Sequence, residues 1–269
     1  MTYAARLAAV TAERGRLCVG IDPMPSVLDA WGLPHDLSGL ERCARGIVAV
    51  LGGRVAVFKP QSAFFEAFGS RGVAVLERVL SDIRDAGALS ILDVKRGDIG
   101  SSMAGYAAAF LGDDAPTRAD AITLSPYLGV GALRPAIDAA VAGGQGLYVL
   151  ARTSNPDGAP IQLARSGDVS VAQHVVDTVA GLNPAADHAV GLVVGGTHAE
   201  LGCRLDHFNA SILVPGIGAQ GGTIEGLRST FGPALGHVLP TASRDVIGAG
   251  EAALSGRLER LLESTAALT

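Results

Sequence analysis

Charged side chains are scarce in this 269-residue chain: Asp, Glu, Lys and Arg make up 17%, against 48% hydrophobic residues. That balance supports a large buried core and excludes a disordered chain. The small excess is acidic, 26 Asp plus Glu against 21 Lys plus Arg, for a net charge of -5. No basic block interrupts it, so no nucleic-acid partner is expected. Cysteine is rare too. Cys18, Cys43 and Cys203 form no CxxC and leave an odd count, which suits reduced thiols in the cytoplasm rather than a disulfide framework. The six histidines contain no HxxxH pair, so no dedicated metal site is expected. Arg6, Glu13, Arg14 and Arg16 break up the N-terminus, which excludes the apolar segment of a signal peptide. No later run has membrane-spanning length, so no membrane partner is expected. No low-complexity segment or linker divides the chain, which predicts one domain over residues 1–269.

What the sequence does contain is a regular alternation. Short apolar runs at 17–21, 55–59, 89–95, 121–125, 147–152, 191–195, 211–215 and 238–242 read as strands. Ala/Leu/Val-rich stretches between them, such as 73–86, 130–141 and 171–180, read as helices. Eight βα repeats in a chain of this length predict an α/β fold, the (β/α)8 TIM barrel. An open doubly wound sheet is the alternative. It is disfavoured because no GxGxxG follows the first strand.

Polar residues gather at the C-terminal ends of these strands: Asp22, Lys59, Asp93 with Lys95, Ser125, Ser154, Gln220 and Arg244. Barrel enzymes carry their active sites on that face. The centre of the pattern is Asp93-Val94-Lys95-Arg96-Gly97-Asp98-Ile99-Gly100. Asp93 and Lys95 are two apart, so a regular strand would point them the same way. Buried charge is costly unless paired or functional. With Lys59 and Asp98, the pair makes two cations and two anions, each stabilising its neighbours. A lysine held protonated among carboxylates can deliver a proton to carbon and stabilise negative charge. The plainer reading, a structural ion-pair network, suffices for one Asp-x-Lys pair but not for four charges with a phosphate loop attached.

That loop is Pro215-Gly-Ile-Gly-Ala-Gln220-Gly-Gly, followed at the next strand end by Arg244. Glycines let backbone N–H groups approach an anion, and the guanidinium fork matches phosphate. Asp22 suits a sugar hydroxyl, or simply a turn or helix cap. Ser154 in Arg152-Thr-Ser-Asn-Pro suits an amide or pyrimidine edge, or plain turn chemistry. Phe58, Phe64, Phe65 and Phe68 read as core, and Cys18 and Cys203 as small buried hydrophobes.

These residues resemble the orotidine 5′-phosphate decarboxylase family. Residues 93–100 resemble its DxKRxDIG signature, and Phe58-Lys59-Pro60-Gln61 and Val19-Gly-Ile-Asp22-Pro23 resemble its bacterial type 2 branch. The glycine-rich loop and Ser243-Arg244 resemble its phosphate segments, so the likeness runs from about residue 17 to 245. It implies a homodimeric barrel without metal or organic cofactor, acting on a nucleotide. Lys95 would donate the proton that replaces the departing carboxylate. Lys59 and Asp93 would complete its array, and Asp98 would come from the partner subunit. Asp22 would contact ribose, Ser154 the pyrimidine, and Gln220 and Arg244 the phosphate. Ser102 stands where the family usually has threonine, which keeps the hydroxyl.

The expected activity is therefore decarboxylation of orotidine 5′-monophosphate to UMP and CO2, in pyrimidine biosynthesis. Three rivals are weaker. Mg²⁺-dependent aldolases and decarboxylases of the same barrel superfamily share D-x-K-x-x-D, but their metal calls for an acid at position 59. A Schiff-base aldolase needs a neutral lysine, which two flanking acids oppose. A catalytically silent nucleotide-binding barrel would not need intact acids and lysines.

Overall fold

A computed structural model describes residues 1–268. Eight strands close a parallel barrel in sequence order. They are β1 (Cys18–Ile21), β2 (Val57–Pro60), β3 (Leu89–Arg96), β4 (Ala121–Leu124), β5 (Gly146–Arg152), β6 (Val190–Val194), β7 (Ile212–Pro215) and β8 (Val238–Ala242). β8 returns to β1 through the pairs Cys18 with Thr241 and Val19 with Ala242. The strands are buried on both faces along nearly all of their length, which is why the eight apolar runs are continuous rather than alternating.

Helices cover the outside. The three helical expectations correspond to Gly69–Asp85, Arg134–Ala142 and Val171–Leu182. The second begins later than its pattern suggested, because Val130–Leu133 form a 3₁₀ turn ahead of Pro135. After β5 the chain adds a short helix, Ala159–Gln162, and a hairpin of Arg165–Ser166 with Val169–Ser170. Neither has a periodic apolar signal. Phe58 and Phe65 are fully buried, as expected of core. Cys18 and Cys43 are buried too, whereas Cys203 is only partly so. Burial pushes the thiols of Cys18 and Cys43 up to about 12 and that of Cys203 to about 11, so all three are held as neutral thiols.

The N-terminal helix, Tyr3–Arg14, closes the far end of the barrel. The Tyr3 hydroxyl meets that of Tyr148 at 3.0 Å, and the two rings pack edge to face, 6.2 Å between centroids. Arg6 makes an ion pair with Asp120, whose other oxygen accepts from the Ser90 N–H at 2.9 Å and hydroxyl at 3.0 Å. Tyr3 fits only because position 146 is glycine, where a Cβ would overlap its ring. Gly146→Ala should therefore lower stability by about 1–3 kcal/mol through overpacking, checked by denaturant unfolding. The active-site end lies across the barrel, so turnover per folded molecule should not change.

Candidate active site

Asp93 sits at the top of β3 with its side chain only 8% exposed, and four donors converge on it. Lys59 Nζ donates to Oδ2 at 3.0 Å and Lys95 Nζ to Oδ1 at 2.5 Å. Thr123 Oγ1 donates to Oδ1 at 2.8 Å, and Gln61 Nε2 to Oδ2 at 3.3 Å. Burial pushes the Asp93 carboxyl upward, but Lys59 and Lys95 outweigh it and hold the group well below the usual carboxylate range. For Lys59, burial pulls the ammonium down, and the opposing Asp93 and Asp22 carboxylates raise it above its ordinary value. Both groups are therefore charged at neutral pH. Lys59 is 8% exposed and Lys95 45%. The first is locked within the wall; the second projects into the cavity.

Lys95 reaches Asp93 by a different backbone route from simple strand alternation. The ladder between β3 and β4 shifts register between Leu92 and Arg96, and Lys95 has φ 45°. A non-glycine residue in the left-handed region is strained and persists where its surroundings fix it. Here the Lys95 N–H donates to Thr123 Oγ1 at 2.9 Å, so one threonine holds both the lysine's backbone and its carboxylate partner. Thr123 and Gln61 were not singled out from the sequence. Gln61 closes the Phe58–Gln61 stretch and bridges to Asp93 from the end of β2, whereas the only signal for Thr123 is its position within the neighbouring β4.

A cavity of about 490 Å³ opens over this array. Asp22, Lys59, Asp93, Lys95, Ser154, Gln220 and Arg244 all line it. The structure thus brings together seven of the eight expected site residues. Three cations face two acids there, a local excess of positive charge in a chain of net charge -5, which suits an anionic ligand. Ser125 does not line it; its N–H instead donates to the carbonyl of Arg96, the last residue of β3, at 2.8 Å.

Asp98 is the one left out. Its carboxylate accepts from the Ile99 N–H at 2.8 Å, and among the described residues it makes no ion pair with Lys95. Ile99 beside it is 61% exposed, and Tyr127 and Leu128 on the next loop are 81% and 54% exposed.

Ser154 Oγ donates to Gln220 Oε1 at 3.1 Å, joining the loops after β5 and β7 across 66 residues of sequence. A dense network holds the Ser154 loop. Gln162 accepts from the Thr153 N–H at 3.0 Å and donates to its hydroxyl at 2.7 Å. Arg152 donates to Gln162 Oε1 at 3.1 Å, and Thr197 to the Ser154 carbonyl at 3.2 Å. A Cβ on Gly195 would lie 2.6 Å from Ser154 Cα, so glycine there admits the loop. Arg244 opens a short helix, Arg244–Ile247, and its exposed side chain has no partner among the described residues.

A larger cavity, about 730 Å³, lies at the opposite end, between the N-terminal helix and the barrel floor. It contains neither an acid nor a lysine. Size does not identify the active site here; the converging charges do.

A closed (β/α)8 barrel with a buried lysine–aspartate array at the C-terminal mouth, and an arginine and glycine-rich loop beside it, defines a barrel enzyme for a phosphorylated substrate. Comparison with known proteins narrows this. Residues 15–257 match the family described as orotidine 5′-phosphate decarboxylase / HUMPS. The chain is 54% identical to an orotidine 5′-phosphate decarboxylase of Salinispora tropica, over 100% of this chain and 99% of that protein. It is 51% identical to one of Streptomyces coelicolor, over 92% and 90%. A crystal structure from Streptomyces avermitilis, described as an orotidine 5′-phosphate decarboxylase, superposes with a TM-score of 0.93 at 47% identity, over 99% of this chain and 95% of that one. The chain belongs to the orotidine 5′-phosphate decarboxylase / HUMPS family.

Proposed function

We propose that this protein decarboxylates orotidine 5′-monophosphate to UMP and CO2 in de novo pyrimidine biosynthesis, as a cofactor-independent lyase. The observation that carries the reading is Lys59 paired with Asp93 in the cavity wall. A metal-dependent member of such a barrel would need an oxygen ligand at that place, not an ammonium. The close relatives named above are all decarboxylases.

The chemistry follows from the array. The bond between C6 of the pyrimidine and its carboxylate breaks, CO2 leaves, and the electron pair stays on C6. The Lys95 ammonium stabilises that charge and transfers its proton to C6. Asp93, held by Lys59, Thr123 and Gln61, pairs with the Lys95 ammonium and aims it. Being 45% exposed, Lys95 can regain its proton from solvent. Asp22 takes a ribose hydroxyl, Ser154 the pyrimidine, and Gln220 and Arg244 the phosphate. Binding the remote phosphate supplies energy that supports the transition state.

The active form in this reading is a homodimer, with Asp98 completing the partner's array. Its support is the position of Asp98, outside its own cavity and next to exposed Ile99, with exposed Tyr127 and Leu128 on the loop after β4. Its three free cysteines support a cytoplasmic location in this reading.

The deciding experiment follows the absorbance of orotidine 5′-monophosphate with excess chelator present. The expected rate is that of the untreated enzyme. Loss of turnover in chelator, regained with Mg²⁺, would give the reaction to the metal-dependent branch.

Arg244 allows a separate test of phosphate recognition. Its side chain bonds nothing else in the described chain, so Arg244→Ala should leave folding intact. It should weaken UMP binding by about 1.5–3 kcal/mol, roughly ten- to a hundredfold, as one charge-assisted contact among several. Inhibition by uridine should barely change. Equal losses for the nucleotide and the nucleoside would mean that Arg244 serves the fold.

A further inference from the structure

The cavity of about 730 Å³ at the far end of the barrel has no part in the chemistry above, yet the fold holds it open. Its roof is the N-terminal helix, which is tied down at both ends. Near the start, Arg6 pairs with Asp120 and donates to the Gly144 carbonyl at 3.0 Å. At the last residue, Arg14 donates to the carbonyls of Gly52 at 3.0 Å and Ala86 at 3.2 Å. So tethered, the helix cannot settle further onto the floor. Ala4, Ala8 and Ala12, four apart and so on one face, present only methyl groups to the space. Leu239 of β8 and Leu262 of the last helix, Leu254–Ala266, supply apolar wall.

Arg16, His188 and His237 also line the cavity, and no acid does. Arg16 donates to the carbonyls of Leu235, Gly236 and Leu268, each at 3.0 Å, so its charge meets no carboxylate. His188 Nδ1 donates to the Asn209 carbonyl at 2.9 Å, which leaves Nε2 without a partner among the described residues. That nitrogen becomes a donor when the ring takes a proton. The His188 backbone has φ 55° and follows Asp187 at φ 50°. Two successive non-glycine residues in the left-handed region are strained, and such strain clusters where a side chain must be held in place for a ligand. His237 makes no hydrogen bond or ion pair among the described residues. Burial lowers its imidazole, and the nearby Arg16 and His188 lower it further. Three groups of like sign thus crowd one rim of a chain whose net charge is -5.

Such a rim is complementary to an anion, and the walls behind it to an apolar body. We propose that this cavity is a second binding site, separate from the catalytic one, for a small amphipathic anion. Its ring or short chain lies against Leu239 and Leu262, and its carboxylate or sulfonate meets Arg16, His188 and His237. The volume falls within the roughly 300–1,000 Å³ of small-molecule sites.

Two fluorescent probes test this. One is 8-anilinonaphthalene-1-sulfonate; the other, N-phenyl-1-naphthylamine, has the same rings without the sulfonate. The native protein should bind a single sulfonate probe per chain with a Kd on the order of 10–100 µM. Saturating UMP should not displace it. The neutral probe should bind about tenfold more weakly, having lost one charge-assisted contact. His188→Asn should weaken the sulfonate probe about tenfold and leave the neutral one unchanged. Asparagine tolerates the left-handed backbone, and its amide can still donate to Asn209, so only the outer ring nitrogen is lost. Ala8→Phe should fill the space and weaken both probes at least about tenfold. Ala9→Phe, equally exposed on that helix but outside the cavity, should change neither. Absence of binding, or displacement by UMP, would overturn the proposal. So would equal affinity for the two probes, or sulfonate binding that His188→Asn leaves intact, since either would make the cavity an apolar crevice with no use for charge.

Discussion

Lys95→Ala is expected to abolish decarboxylation, lowering kcat by at least about 10⁴-fold, because one side chain supplies both the proton and the nearest positive charge. Binding of UMP should survive, since the residues assigned to ribose and phosphate follow β1, β7 and β8. The fold should survive as well. Asp93 keeps Lys59 at 3.0 Å, Thr123 at 2.8 Å and Gln61 at 3.3 Å, so no unpaired buried charge is created. The left-handed backbone at φ 45° is no worse for alanine than for lysine, as both carry a Cβ. Single-turnover absorbance and calorimetric UMP titration give the two readouts. Turnover within about a hundredfold of wild type would remove Lys95 from the role of proton donor.

The second expectation concerns Asp98 and needs two dead variants to make a living enzyme. Lys95→Ala and Asp98→Asn are each expected to be inactive as pure proteins. When their subunits exchange, one site of every mixed dimer carries both lesions. The other site combines Lys95 from one chain with Asp98 from the other and is intact. Random mixing makes half the dimers mixed, each with one intact site in two, so about a quarter of wild-type activity should return. If Asp98 served the cavity of its own chain, every site would carry one lesion and nothing would return. A mixture that demonstrably exchanges subunits and remains dead would refute the shared site.

Much of the site was legible because of how a parallel barrel is built. Strands buried on both faces must be apolar throughout, so a charged residue near a strand end stands out. Every strand enters the mouth at its C-terminal end, so Asp22, Lys59, Asp93, Ser154, Gln220 and Arg244 all pointed to one rim before any coordinates. The resemblance of residues 93–100 to a known signature then supplied roles that spacing alone does not. Lys95 reaches Asp93 by another geometry than its spacing predicts. In place of regular alternation, the chain uses a register shift with a left-handed residue.

By itself, then, the sequence determined the barrel, the rim and the charged residues, because these depend on local patterning: an apolar run, a turn, a charge at a fixed offset. The tertiary structure decided who touches whom. Thr123 reaching Asp93, Ser154 meeting Gln220 and Tyr3 meeting Tyr148 all join elements far apart in the chain. Such contacts arise only when barrel closure fixes the register between strands. No local pattern encodes that register, because it follows from packing all eight strands at once.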